Sequence, residues 1–437
     1  MSPLGLGVDL GSSGLRLALV DGAGREIALH SGAYPSSFED PLGWRDGLIH
    51  LLSRVPHSLR SDVRSIAIDG TSGTLLVCRP DGSLLGGSLA RALPYHLACP
   101  EQAATAVDLV GENSHGLRSP AASPSGSLAR ALRLFELAET TGIQYPLLLR
   151  HQADWLMGWL LGDWRWGEEG NNLKLGWDPL RRSWLGRIAQ QAWKTALPRI
   201  CPSGTVLGPL AREPAWSLGL PEHCQVVAGT TDANAGVLAA DPGEGDGITV
   251  LGTTLVLKQF VAEPAGGPGL SCHRVAGRWL LGGASNAGAG ILRRFFDDSQ
   301  MKELSRQIDP ERPSGLELMP LPRPGERFPV DDPHLQPRLG PRSVSDALYL
   351  QGLLESLTAI EAAGWCRLRE IGAPALRRVI TLGGGARNPQ WRRMRERALG
   401  VPVLNRPGLA AALGVANLAI RSLDPSSERS PLGSRMG

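Results

Sequence analysis

Gly7-Val8-Asp9-Leu10-Gly11-Ser12-Ser13-Gly14 is the stretch on which the fold turns. Residues 4–10 form a short apolar run, 11–14 a turn, and 15–20 a second run closed by Asp21-Gly22, so the chain opens as a hairpin that continues into a meander. Asp9 then stands at the end of a buried strand, beside a turn of free backbone N–H groups and two hydroxyls. Such a turn can bind phosphate oxygens while the carboxylate holds a hydrated magnesium ion. The same residues also suit a plain hairpin with a polar strand end.

About 240 residues later the pattern returns: 247–251 is apolar and β-branched, Gly252-Thr253-Thr254 forms a turn, and 255–261 is a second strand. Gly277-Arg278 leads into a third through Trp279-Leu280-Leu281. Two β-turn-β units, each with glycine and a hydroxyl residue at its turn, predict a duplicated architecture. The other elements alternate between apolar strands (65–69, 225–228, 378–382) and amphipathic helices, among them a long helix from 345 to about 369. That alternation belongs to α/β folds. Residues 315–342, proline-rich and poor in periodic apolar positions, read as a long surface excursion.

A chain of 437 residues accommodates two domains with a cleft between them. The expected division is 1–240, completed by a C-terminal helix at 410–422, against 241–409. Residues 423–437, almost devoid of apolar side chains, are expected to be a disordered tail. A hydrophobic content of 42%, charged content of 20% and no apolar stretch of about 18 residues predict a soluble globular protein with no membrane partner. The net charge of +3 is small and its basic residues are scattered, which excludes nucleic acid as an expected partner. Six cysteines lie far apart without a C-x-x-C pair, so neither a zinc site nor a disulfide framework is expected. With no export signal at the N-terminus, the reading is a cytoplasmic protein, monomer or homodimer.

Four further segments carry candidate chemistry. Gly252-Thr253-Thr254 repeats the first turn without an acid, as expected if two loops clamp a polyphosphate and one of them holds the metal. Residues 229–236 follow a strand as a loop entering a small-residue helix, where Asp232 reads as a helix N-cap or as a general base. In Gly383-Gly384-Gly385-Ala386-Arg387-Asn388-Pro389, Asn388 is the N-cap and Pro389 the first helical residue. Its glycines let a flat ligand such as a nucleotide lie against bare backbone. The helix bearing Arg392, Arg393, Arg395 and Arg397 reads as a solvated face rather than a phosphate clamp. Ile68-Asp69-Gly70-Thr71-Ser72-Gly73-Thr74 supplies the short donors and acceptors a polyol needs, or is a tight turn feeding a strand at 75–78. Asp154 and the run Asn171-Asn172-Leu173-Lys174 read as sugar-facing residues, caps or surface. Neither G-x-x-x-x-G-K-[ST] nor G-x-G-x-x-G occurs, which disfavours a P-loop or a simple Rossmann site.

In this order the segments resemble the carbohydrate kinases of the FGGY family over nearly the whole chain. The resemblance rests on the Asp-x-Gly-[ST] loop, Gly229-Thr230-Thr231-Asp232, the second Gly-Thr-Thr loop, the triple glycine, and Gly352-Leu353-Leu354-Glu355 in the helix before it. Within the family the chain looks most like the small cyanobacterial and plant-plastid sugar kinases, once called xylulokinase-like, that are regarded as D-ribulose kinases. Residues 66–74, 152–156, 172–176 and 282–286 support this.

The resemblance implies a two-domain actin-like ATPase fold of the ribonuclease-H type, with duplicated mixed sheets and a central cleft. It implies ATP and magnesium as cofactors and a ketopentose as substrate, D-ribulose giving D-ribulose 5-phosphate, with D-xylulose as the alternative. Asp9 would hold the metal; Gly11, Ser12, Ser13, Gly252 and Thr253 would handle phosphate. Asp9, Ser72 and Asp232 would contact the sugar, with Asp232 as base, while Gly384, Gly385, Asn388 and Trp391 would surround the adenosine. Ser12 stands where many relatives have threonine, which keeps the hydroxyl. The tryptophan and Met-His pair of typical xylulokinases have no counterpart, so D-xylulose ranks second. The rival of another class is an actin-like or chaperone-like ATPase switch that takes no sugar.

Overall fold

Strand β1 (Leu4–Gly11) is buried along all but its last residue, and a strand covered on both faces belongs in the middle of a sheet. It pairs antiparallel with β2 (Gly14–Asp21) across the two-residue turn Ser12-Ser13, and β2 pairs in turn with β3 (Glu26–Gly32). On its other side β1 runs parallel to β4 (Val63–Gly70). With β5 (Val206–Pro209) and β6 (Gln225–Thr231) the sheet order is β5-β6-β4-β1-β2-β3. Helix α1 (Pro41–Ser53) is started by the Asp40 carboxylate, which accepts from the Leu42 N–H, and it buries Trp44, Leu48, Leu51 and Leu52 in the core beside β1 and β2. Helices α2 (Ser127–Thr140), α3 (Gln152–Leu161) and α4 (Asp232–Ala240) follow.

The computed structural model describes residues 3–111, 119–143 and 146–423. The chain divides into two units. One comprises Met1–Ala239, Arg274–Gly277 and Ala410–Gly437, as far as these are described, and the other Ala240–His273 and Arg278–Leu409.

The second unit contains β7 (Asp246–Leu251), β8 (Leu255–Val261), β9 (Leu270–Val275), β10 (Arg278–Ala284), β11 (Arg378–Leu382) and β12 (Val403–Asn405), in the order β9-β10-β8-β7-β11-β12. Strands β7, β8 and β10 make an antiparallel meander, β11 lies parallel beside β7, and β12 lies parallel beside β11. This repeats the arrangement of β1-β2-β3 with β4 and β6. Helices α5 (Asp298–Ser305), α6 (Asp346–Glu370) and α7 (Pro389–Leu399) complete it. The last helix, α8 (Ala411–Arg421), packs on β1 in the first unit. There a Cβ on Gly5 would sit 2.6 Å from the Ala416 carbonyl oxygen and one on Gly7 2.1 Å from that of Ala412. Gly7 therefore permits helix packing and lies outside the turn 11–14 that is expected to bind phosphate.

Several expectations change. The strand begun at 225 continues through Thr231 instead of giving way to a loop at 229, because a bulge between Val227 and Thr230 lets it stay paired with β4. Gly229 is needed there, since a Cβ would fall 1.8 Å from the Ile68 oxygen. Strand β9 lies between segments expected to be consecutive strands. Helix α6 starts at Asp346, with Ser345 as its cap, and Leu348 is exposed. The stretch 315–342 is more than surface: Leu318, Leu321 and Phe328 enter the core, and the Glu326 carboxylate accepts from the Ser285 hydroxyl and the Asn286 N–H. Leu423 packs against the α8 cluster, and the rest of the expected tail, 424–437, lies outside the described residues.

Candidate active site

Three parallel strands of the first unit end together. Register places Asp9 of β1 beside Asp69 of β4, and Asp69 beside Thr230 of β6, with Asp232 just past the end of β6. The sequence places Asp69 in the polar run 68–74 expected to suit a polyol, without singling it out as a partner of Asp9. Its signal was present, an acid at a strand end before a turn like Asp9, but the partnership exists only once β1 and β4 are in register.

The three acids have different surroundings. Asp9 is buried and accepts from the Arg16 guanidinium at 3.0 Å. Asp69 is fully buried, and among the described residues no N–H or O–H donates to either oxygen. Burial first, then the charges of Asp9 and Asp232, push its carboxyl well above the usual range. A protonated Asp69 can donate to Asp9, an arrangement two ionised carboxylates cannot make. Asp232 is half-buried as the first residue of α4, and its Oδ1 accepts from the Ala233 N–H at 2.6 Å. Tyr34 closes the group: its hydroxyl donates to the Gly11 carbonyl at 2.9 Å, and burial together with Asp9 and Asp69 raises its pKa.

The turn residues Ser12 and Ser13 are exposed at the end of this hairpin. Loop 71–74 leaves the end of β4 beside the acids. The Thr71 N–H and hydroxyl both donate to Gln152 Oε1, at 3.2 and 2.9 Å, and the Thr71 and Thr74 hydroxyls pair at 2.6 Å. Ser72 is half-buried between them. Asp154 is interior rather than a surface residue or a free ligand for a sugar. It accepts from the Glu168 N–H at 2.9 Å and from the Asn172 amide at 3.0 Å.

In the second unit a pocket of about 800 Å³ is lined by Gly252 and Thr253, by Gly384, Gly385, Asn388 and Trp391, and by Met301, Lys302 and Ser305 of α5. The volume suits a nucleotide-sized ligand. A Cβ on Gly384 would meet nothing within 4 Å, whereas one on Gly385 would crowd Leu251 at 2.7 Å and the Trp391 ring at 2.8 Å. Asn388 caps α7 by accepting from the Gln390 and Trp391 N–H groups and donates to the Ser305 hydroxyl at 2.8 Å. The Trp391 indole is buried and donates to Thr358 at 3.0 Å. Both residues thus form the wall with their polar groups engaged inside the protein. The α5 residues were missed because nothing in 298–305 marks them, and distance along the chain hides their approach to 384–391.

Arg395 departs from the expected solvated face. It is buried and paired with Glu361 through contacts of 2.5 and 2.7 Å, and it donates to Thr381 at 2.7 Å. The Thr249 hydroxyl completes the network on Glu361 at 2.6 Å. Every charge in this network has a partner, as an interior pair requires.

The donor sets fit the expected groups. Bare glycine backbone, the Thr253 hydroxyl and Lys302 suit a nucleotide with its phosphates. Among the described residues no group of three or more His, Cys, Asp or Glu could hold a metal. A magnesium ion carried by phosphates needs only one or two carboxylates, which Asp9 can provide.

The fold is mixed α/β with two sheet-rich domains, and it matches the fold of solved sugar kinases. Residues 247–423 match the model of the C-terminal domain of the FGGY family of carbohydrate kinases. A xylulose kinase from Rhodospirillum rubrum is 21% identical, covering 95% of this chain and 89% of that one with a TM-score of 0.78. A Plasmodium falciparum glycerol kinase with ADP is 15% identical, covering 97% and 90% with a TM-score of 0.77. At such identities the likeness speaks for the fold. An autoinducer-2 kinase of Yersinia pestis is 23% identical over 310 residues, 63% of this chain and 58% of that kinase's own length.

Proposed function

We propose that the protein is an ATP-dependent sugar kinase of the FGGY type that phosphorylates the terminal hydroxyl of a ketopentose, D-ribulose in preference to D-xylulose. The observation that carries the reading is the convergence of Asp9, Asp69 and Asp232 at one sheet end, beside a loop of small polar residues. The glycine-walled pocket of the second unit supplies the nucleotide site. Its family match and the kinase relatives support phosphoryl transfer, and the Thr71-Ser72 loop, without a Met-His pair, favours ribulose.

Asp232 is the base. Its half-buried carboxylate accepts the proton of the attacking hydroxyl, and without it the hydroxyl is a poor nucleophile. Ser72 orients the sugar, while Gly11, Ser12, Ser13, Gly252 and Thr253 contact the phosphates and Gly384, Gly385, Asn388 and Trp391 enclose the adenosine. Magnesium, when bound at Asp9, neutralises charge on the transferring phosphoryl group. None of the described helices is long and apolar enough to cross a membrane, and a cytoplasmic location fits the substrates.

The test is a coupled assay of ADP formation with D-ribulose, D-xylulose, L-ribulose, glycerol or no sugar. Ribulose-dependent ADP production is expected. ADP production at the same rate with and without sugar would replace the kinase by an ATPase switch.

A further inference from the structure

Arg130, on α2, is completely buried, yet no carboxylate among the described residues pairs with it. Its guanidinium donates to four backbone carbonyls: Nε to Gly73 at 2.8 Å, Nη1 to Tyr95 at 3.1 Å and to Leu97 at 2.6 Å, and Nη2 to Ser125 at 3.0 Å. Burial lowers its pKa to about 10, still far above neutrality, so the side chain carries its charge. A buried cation satisfied only by main-chain oxygens fixes the backbone around it, because moving any one segment strands a charged donor.

One of those segments is the turn 71–74. Gly73 has a φ of 108°, and a Cβ there would lie 2.6 Å from Arg130 Nη2, so the turn and the guanidinium are fitted to each other. The two threonines of the turn are tied down as well: Thr71 to Gln152, Thr74 to Thr71, and the Tyr95 N–H to the Thr74 hydroxyl at 3.2 Å. Ser72 stands between these fixed points with its side chain half-buried. The turn itself issues from β4 directly after Asp69.

We propose that Arg130 is a positioning residue that locks the 71–74 turn so that Ser72 is held at one place beside the acid cluster, setting affinity for the sugar and not for the nucleotide. The inference rests on the kinase reading above. Flexible polar groups must be ordered when a polyol binds, whereas a pre-set turn does not incur that cost. A lysine presents one ammonium and cannot bridge four carbonyls in the planar pattern of a guanidinium.

The experiment compares wild type with Arg130→Lys and, from the other side of the same contact, Gly73→Ala. KM for D-ribulose and for ATP is measured with ribulose-dependent ADP formation, and D-ribulose binding is measured by calorimetry without nucleotide. Both variants are expected to raise ribulose KM and Kd by about tenfold or more, with ATP KM within about twofold of wild type. The Arg130→Lys/Gly73→Ala double variant should be no worse than the poorer single one. Guanidinium ion added to Arg130→Ala should restore part of the ribulose affinity. Unchanged ribulose KM and Kd in a folded Gly73→Ala protein would overturn the proposal, as would equal losses in ribulose and ATP affinity. Failure of the kinase reading looks different: wild type itself would then neither bind ribulose nor form ADP in response to it.

Discussion

The two sheets share an architecture and differ in what stands at one level of it. Two residues before the loop glycine, the first sheet pairs Asp9 with Asp69, and the second pairs Val250 with Leu382. One register level deeper the polarity reverses: Val8 and Ile68 in the first sheet, Thr249 and Thr381 in the second. The threonines belong to a closed network with Glu361 and Arg395, in which every charged group has a partner. The aspartates do not, since Asp69 receives no donor among the described residues. A satisfied buried network stabilises one conformation, while an unsatisfied one retains capacity for a proton or a ligand. By this contrast the second unit closes its buried charges into a structural network, and the first keeps buried carboxyls that are incompletely paired.

Replacing Asp232 by asparagine tests the reactive side most severely. The turnover of a folded protein is expected to fall by about a thousandfold with little change in Tm, as measured by the coupled assay and by calorimetry. Retained turnover would remove Asp232 as base. The structural side is tested next by Glu361→Gln, which leaves Arg395 buried without its carboxylate. A loss of about 3–5 kcal/mol in urea unfolding is expected; a loss below about 1 kcal/mol would mean that the network is not what stiffens the second unit.

Asp69→Asn should have the opposite sign. Asparagine keeps a donor toward Asp9 and removes the tendency to bury a charge, so stability at neutral pH is expected to rise by about 1 kcal/mol. A loss of the size seen for Glu361→Gln would erase the distinction between the two levels.

The smallest effect concerns Glu169, another buried carboxyl of the first unit with an unpartnered oxygen, whose pKa burial raises from 4.5 to about 6. Its protonated form favours the folded state. That contribution is complete below pH 4.5 and is lost as pH rises through about 6. Glu169→Gln should therefore exceed wild type in Tm by about 2–4 °C above that range, and the gap should close at pH 4. A gap independent of pH would show that the carboxyl does not titrate there.

Much of this was legible in the chain. The two β-turn-β units, the polar turns at 11–14 and 252–254 and the capped glycine loop at 383–389 follow from local rules. Alternation, turn residues and caps are short-range properties, and each segment displays its own. Asp9 and Asp232 could be named because an acid at a strand end or helix start is a local feature too.

What the sequence by itself determined, then, was many of the elements, their duplication and the candidate loops, though not strand β9 or the inward-facing part of 315–342. Only the tertiary structure decided which buried polar groups meet. Asp69 acquires its meaning from register with Asp9, Arg395 from Glu361 on a different helix, Arg130 from carbonyls on three separate turns, and Gly7 from a helix some 400 residues away. The physical reason is that burial periodicity is written residue by residue. Pairing across strands and helices is a property of distances that exist only after the chain has closed on itself.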